Sequence, residues 1–150
     1  MSMIMKAVTA VAFVGVSSYA SAKQHDSTTM AKYAAAIRKI ESTNRYGVTA
    51  NAGRGRTALG AYQILDTNLA SWSRAALGRS VDQSEFLGSP SIQDQVFHHR
   101  FGHYVRKYGP HGAARAWLGG EGAARSGGGK DRFGSTPSSY AQKFVREASR

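Results

Sequence analysis

The apolar positions form short stripes separated by polar or glycine-rich stretches. Met30, Tyr33, Ile37 and Ile40 recur at helical spacing, with Lys32, Arg38 and Lys39 turned away from them. This predicts an amphipathic helix from about Met30, capped by Thr28 or Thr29 and closed by Gly47 shortly past its last turn. The polar residues 23–29 before it read as a loose leader. Residues 48–58 have no period and two glycines, and read as a loop. The short apolar run Gly60-Ala61-Tyr62-Gln63-Ile64-Leu65 suits a strand or the rim of a helix. Asp66 or Thr67 then caps a helix through Leu77, closed by Gly78. Asp82-x-x-Glu85 has capping-box form ahead of Phe86 and Leu87. Ser89-Pro90 opens a helix carrying Ile92, Val96, Phe97, Phe101, Tyr104 and Val105, which Gly109-Pro110 ends. A shorter helix over 112–118 follows. Residues 119–135 are so rich in glycine that they read as an exposed, mobile loop. Thr136-Pro137 opens a last helix carrying Tyr140, Phe144 and Val145. The class is mainly α, with five to six helices and at most a small β element, and no internal repeat.

The start of the chain changes how that pattern is divided. One cation, Lys6, precedes the uncharged run from Ala7 to Val16, and Ala20-Ser21-Ala22 has a small-x-small cleavage pattern. That order matches a secretory signal peptide over 1–22, leaving one domain over 23–150. The run is too short to span a bilayer. The expectation is an exported protein, periplasmic or extracellular, with no membrane attachment after cleavage. The chain has no cysteine, so no disulfide framework and no lipid-carrying thiol.

The chain carries +11, of which Lys6 contributes one, so residues 23–150 carry +10. Such a protein seeks polyanions: nucleic acid, phospholipid heads or cell-wall polymers. The basic residues, among them Arg54, Arg56, Arg74, Arg79 and Arg100, are scattered, without a basic tail, and read as a solvated surface. No recognition-helix or zinc motif appears, and basic residues do not interleave with aromatics, so nucleic acid is not the expected partner. His99 and His103 stand four apart on one helix, but no Glu in the His-Glu-x-x-His position, no Cys and no third ligand accompanies them. No metal and no cofactor are expected. Nothing indicates an obligate oligomer; a monomer is expected.

Glu41 is the anomaly. It lies in the apolar stripe, at the end of the first helix, where a solvated helix would not place a charge. Desolvation disfavours the ionised form, and so does the partial negative charge of a helix C-terminus. A carboxylic acid kept protonated is what a glycosidase needs to protonate a leaving oxygen.

Four blocks then stand in order: Glu41-Ser42 at the helix end, Gly60-Ala61-Tyr62-Gln63-Ile64, Ala116-Trp117-Leu118-Gly119-Gly120, and Tyr140 on the last helix. At these residues the chain resembles the lytic transglycosylases of the lysozyme-like superfamily. They have a Glu-Ser pair at a helix end, a Gly-x-x-Gln-Ile block, an Ala-aromatic-Asn-x-Gly block and a later tyrosine. The resemblance runs from residue 31 to about 146. Leu118 stands where the family usually has an Asn that helps hold the sugar's N-acetyl group, and Glu121 is outside the general pattern.

The resemblance implies a lysozyme-like α(+β) fold and cleavage of the β-1,4 bond between N-acetylmuramic acid and N-acetylglucosamine in peptidoglycan. Glu41 would be both acid and base, leaving 1,6-anhydromuramic ends, with peptidoglycan strands as the partner and a secretion or envelope apparatus as an optional one. Tyr140 would lie near Glu41, orienting it and favouring its protonated form. Gln63 would bind sugar, Tyr62 would stack on a sugar face or pack, Trp117 would pack beneath the site, and Ser42 would support Glu41 or cap the helix end. A lysozyme-type muramidase on the same fold and a non-catalytic, basic wall-binding protein are the alternatives.

Overall fold

A computed structural model describes residues 15–126 and 134–150, with side chains from Asp26 onward. It is mainly helical, with a small antiparallel sheet, as the pattern predicts. Among the described residues the helices are α1 (Gly15–Ser42), α2 (Asp66–Leu77), α3 (Gln83–Gly88), α4 (Pro90–Gly119), α5 (Glu121–Ser126) and α6 (Pro137–Ala148). Between α1 and α2 lie β1 (Thr49–Gly53), β2 (Arg56–Leu59) and β3 (Ile64–Leu65) in the order β1-β2-β3.

Three helix starts follow local side-chain chemistry. Ser89 accepts from the Ile92 backbone N–H at 3.3 Å and Asp82 from Glu85 at 2.8 Å, and Thr136 and Ser139 form a reciprocal cap for α6. Gly78 closes α2 in the left-handed conformation. Gly109, at φ 70° and ψ 170°, breaks α4, and Pro110 restarts it, so the expected stop becomes a kink between two helical segments with no loop between them.

Five expectations need correction. Neither Asp66 nor Thr67 caps α2: its N-cap is Leu65, without a side-chain cap, and Asp66 Oδ1 accepts from the adjacent Thr67 N–H at 2.8 Å inside the first turn. The other four concern α1, the hairpin and the glycine-rich stretch. First, α1 does not begin near Met30. It runs back to Gly15 through 23–29, whose residues include neither glycine nor proline to stop it. Positions 22 and 23 are helical, and residues 1–14 of the expected signal peptide lie outside the described residues. Second, Gly47 does not end α1. Thr43 and Asn44 take positive φ (56° and 63°), and the Asn44 N–H returns to the Arg38 carbonyl at 3.1 Å. Third, 48–58 is a hairpin rather than a loop, turning at Arg54 and Gly55, both at positive φ. Its first strand is largely solvent-facing and poor in β-branched residues, so no alternation marks it. Fourth, the glycine-rich stretch is helical over Glu121–Ser126, because Ala123 and Ala124 have a core to bury against; residues 127–133 lie outside the described residues.

The core forms around the first part of α4. Phe97 stacks on Tyr62 (centroids 4.2 Å apart, planes at 10°) and on Phe101 (4.9 Å, 18°), and Phe101 meets Phe144 of α6 at 5.5 Å. Ile37 of α1, Leu59 of β2 and Ile64 of β3 complete it, all essentially without exposure. Val145 is exposed, so α6 turns Tyr140, Ala141 and Phe144 inward instead. Each fully buried aliphatic or aromatic side chain contributes about 1.5–3 kcal/mol relative to exposure. This core therefore holds the end of α1 rigidly beside the sheet and α6.

Candidate functional site

Glu41 stands half-buried one residue before the end of α1. Across 99 positions of chain, the Tyr140 hydroxyl of α6 donates to its Oε1. Tyr140 is buried, and burial followed by the Glu41 charge and this hydrogen bond raise its pKa well above the ordinary tyrosine value, so it stays a donor throughout the working pH range. A hydroxyl donating to a carboxylate stabilises the anion. Tyr140 therefore orients Glu41 as the resemblance implies, but the geometry opposes the implied favouring of the protonated form.

Ser42 does more than end a helix. Its Oγ, 4% exposed, lies 2.9 Å from the Ala61 carbonyl and 3.2 Å from the Arg38 carbonyl, and accepts from the Arg45 N–H at 3.1 Å. The first and second sequence blocks are thus tied directly. Ala61 is gripped from its other side too: its N–H donates to Gln93 Oε1 at 2.8 Å. Gln93 is fully buried, and its Nε2 donates to the carbonyls of Phe86 (2.9 Å) and Tyr46 (3.0 Å). Gly60 belongs here because its φ is +70° and a Cβ would lie 2.1 Å from Gln93 Oε1.

Of the two roles expected for Tyr62, stacking on a sugar or packing, its burial gives packing. Its ring is completely buried on Phe97, and its hydroxyl accepts from Arg38 Nη1 at 2.8 Å and donates to Asp94 Oδ1 at 2.5 Å. Burial first, then the Asp94 bond, drives its pKa far above the ordinary value. Tyr46 donates to the same Asp94 oxygen at 2.8 Å, and its pKa is likewise raised by burial and Asp94. Gln63, half-buried, folds back so that its Nε2 donates to the Gly60 carbonyl at 2.9 Å. It holds φ at 52°, a conformation uncommon for a side-chain-bearing residue and one found disproportionately at functional sites.

Trp117 both packs and lines. Its ring meets Phe97 at 5.1 Å and Trp72 at 5.5 Å, and its Nε1 donates to the Tyr62 carbonyl at 3.3 Å, joining the third block to the second. It also lines a cleft of about 490 Å³, together with Leu118, Gly119 and Gly120 of its own block and with Trp72, Arg56 and Arg100. Gly119 packs so closely on α5 and the start of α6 that a Cβ would meet Ala123 at 2.6 Å and Pro137 at 3.1 Å. The four blocks therefore form one connected assembly.

Sequence reasoning missed Gln93, Asp94 and Arg38 as supports of the site. One signal was present: Gln93 lies three and four positions before Val96 and Phe97, on the apolar face of its helix, where an uncharged polar residue needs buried partners.

Among the described residues, several other carboxylates are engaged. Glu85 pairs with Arg79, Glu147 with Lys39 and Arg150, and Asp94 with the two tyrosines. Glu121 accepts from Lys107 (2.7 Å) and Tyr108 (2.6 Å), which lower its pKa to about 2.

No protein-family model, curated protein or solved structure matches the chain.

Proposed function

We propose that the protein is a peptidoglycan lytic transglycosylase with Glu41 as its single acid and base. The observation that carries this reading is the Glu41–Tyr140 hydrogen bond, made within an assembly that also ties Ser42 to Ala61 and Trp117 to Tyr62. Glu41, protonated, gives its proton to the glycosidic oxygen as the bond from that oxygen to the muramic anomeric carbon breaks. The sugar's own N-acetyl oxygen stabilises the cationic carbon. Glu41, now a carboxylate, takes the proton of the 6-hydroxyl, whose oxygen bonds to the anomeric carbon and closes the 1,6-anhydro ring. Tyr140, holding Oε1, stabilises Glu41 in the interval when it is an anion. No second carboxylate is required, in keeping with the engagement of Asp94 and Glu121 elsewhere.

The test is mass spectrometry of purified sacculi digested by the protein and by its Glu41→Gln variant. Fragments ending in 1,6-anhydromuramic acid are expected from the first and none from the second. Reducing-end fragments, one water heavier, would replace this reading with a muramidase. No fragments from either would move it to a wall-binding protein.

A further inference from the structure

We propose that the cleft beside Trp117 binds a carboxylate carried by the wall polymer, with Arg100 and Arg56 as its cations. This rests on the peptidoglycan reading above and assigns a part of the same polymer to a cleft whose lining includes Trp117 but not Glu41. Arg100 is half-buried, not a solvated surface cation as its place in the sequence suggests. Its guanidinium lies 4.7 Å from the Trp72 ring centre and 5.0 Å from that of Tyr104, and its Nε donates to the Tyr104 hydroxyl at 3.1 Å. Two rings and a hydrogen bond fix a group that is otherwise flexible, so little ordering is left to be done on binding. Among the described residues it forms no ion pair. Glu121, the one carboxylate lining the cleft, is already engaged by Lys107 and Tyr108. Arg56 lines the same cleft, with its Nε directed at the Gly53 carbonyl at 3.5 Å.

Glu121 attracts Arg100 through space without an ion pair between them, and a held guanidinium fork whose terminal nitrogens form no ion pair suits a planar, bidentate anion. Leu118 presents carbon where the resembling family presents an amide; Thr67 and Asn68 add neutral polar groups to the lining, and Arg56 and Arg100 are its cations. Two parts of the polymer carry the required group: the lactyl carboxylate of muramic acid in glycan without peptide, and the carboxylates of the stem peptide. A neutral β-1,4 N-acetylglucosamine oligomer has the same backbone and neither.

The test is calorimetric binding at low salt of three soluble probes: stem peptide, peptide-free muramic acid–glucosamine oligomer, and N-acetylglucosamine tetramer. The wild type, Arg100→Gln, Arg100→Lys and Arg56→Gln are compared, with melting temperatures confirming the fold. At least one anionic probe is expected to bind about tenfold or more tighter than the neutral tetramer, and Arg100→Gln to remove most of that difference. Arg100→Lys keeps the charge without the fork and is expected to recover only part. Whichever anionic probe is preferred identifies the source of the carboxylate. Equal binding of neutral and anionic probes, no binding of any, or indifference of both anionic affinities to Arg100→Gln and Arg56→Gln would overturn the proposal. Sacculus digestion run alongside separates the two readings: carboxylate selectivity without cleavage removes the transglycosylase, and cleavage without carboxylate selectivity removes only the cleft.

Discussion

Tyr140→Phe deletes one oxygen and keeps the ring that α6 turns into the core. The lost bond joins a carboxyl oxygen to a buried donor, and where the acceptor is ionised such a bond contributes about 1.5–3 kcal/mol. Glu41 is half-buried, so water recovers part of that, and about 1–2 kcal/mol of destabilisation is expected by the same reasoning. For a domain of this size each kcal/mol moves the melting temperature by roughly 4 °C. A double-mutant cycle of Tyr140→Phe with Glu41→Ala, followed by thermal denaturation at pH 7, isolates the pair: the coupling energy is expected to be about 1 kcal/mol or more. On sacculi, the same phenylalanine variant is expected to lose about 10- to 100-fold in kcat, the size expected for 1.4–2.8 kcal/mol of lost transition-state support. Additive melting shifts together with kcat within twofold of wild type would refute the claim that Tyr140 holds Glu41 for chemistry.

Ser42→Ala removes the partner of the buried Ala61 carbonyl, which is expected to cost about 1–3 kcal/mol of stability by urea titration, with a fall in kcat as the end of α1 loosens from the sheet; an unchanged midpoint would sink it. Gly60→Ala places a Cβ 2.1 Å from Gln93 Oε1 at a positive φ and is expected to destabilise by about 3 kcal/mol or more, whereas Gly47→Ala, with open space around it, is expected to be nearly neutral; equal melting points for the two would contradict the geometry. Glu121, lowered to about 2 from the 4.5 of an ordinary glutamate, has a depressed folded-state pKa, so the stability it adds is present above pH 4.5 and lost as pH falls toward 2. The difference in melting temperature between wild type and Glu121→Gln should shrink across that window, and a difference constant from pH 7 to pH 2 would disprove the linkage.

Three helix starts were legible because each is one residue's hydrogen bond, whereas α2 starts at Leu65 with no side-chain cap. Ser89, Asp82 and Thr136 announce α4, α3 and α6 by side chains that reach backbone N–H groups three positions on. The hairpin was not legible, since a strand facing water needs no apolar alternation and Arg54-Gly55 is not one of the usual turn pairs. The extension of α1 was hidden for a related reason: polar residues 23–29 carry no stripe, and only the absence of a breaker speaks for a helix. In the site, Glu41 stood out because a charge in an apolar stripe is a contradiction that needs an explanation. Gln93 stood in a comparable position without a formal charge and passed unnoticed, and Tyr62 was ambiguous because a tyrosine's hydroxyl suits equally a buried network and a ligand.

Two influences on Glu41 pull in opposite directions, and on the proposed chemistry both are needed. The C-terminal end of α1 and partial burial disfavour the anion, which keeps a proton available for the leaving oxygen. The Tyr140 hydroxyl favours the anion, which keeps the carboxylate from recapturing that proton before the 6-hydroxyl closes on the anomeric carbon. A group that serves as acid and then base within one turnover works best when neither form is strongly preferred. Ser42 and Gln93 act on placement instead, by fixing where the end of α1 lies against the Gly60–Gln63 turn. Changes at Ser42 and at Tyr140 should therefore differ in kind. Tyr140→Phe alters which form of Glu41 is favoured and so shifts the pH profile of kcat. Ser42→Ala alters placement and lowers kcat at every pH with the profile unmoved. Identical pH profiles for the two variants, or a shifted profile for Ser42→Ala, would mean that the tyrosine acts only as another structural tie.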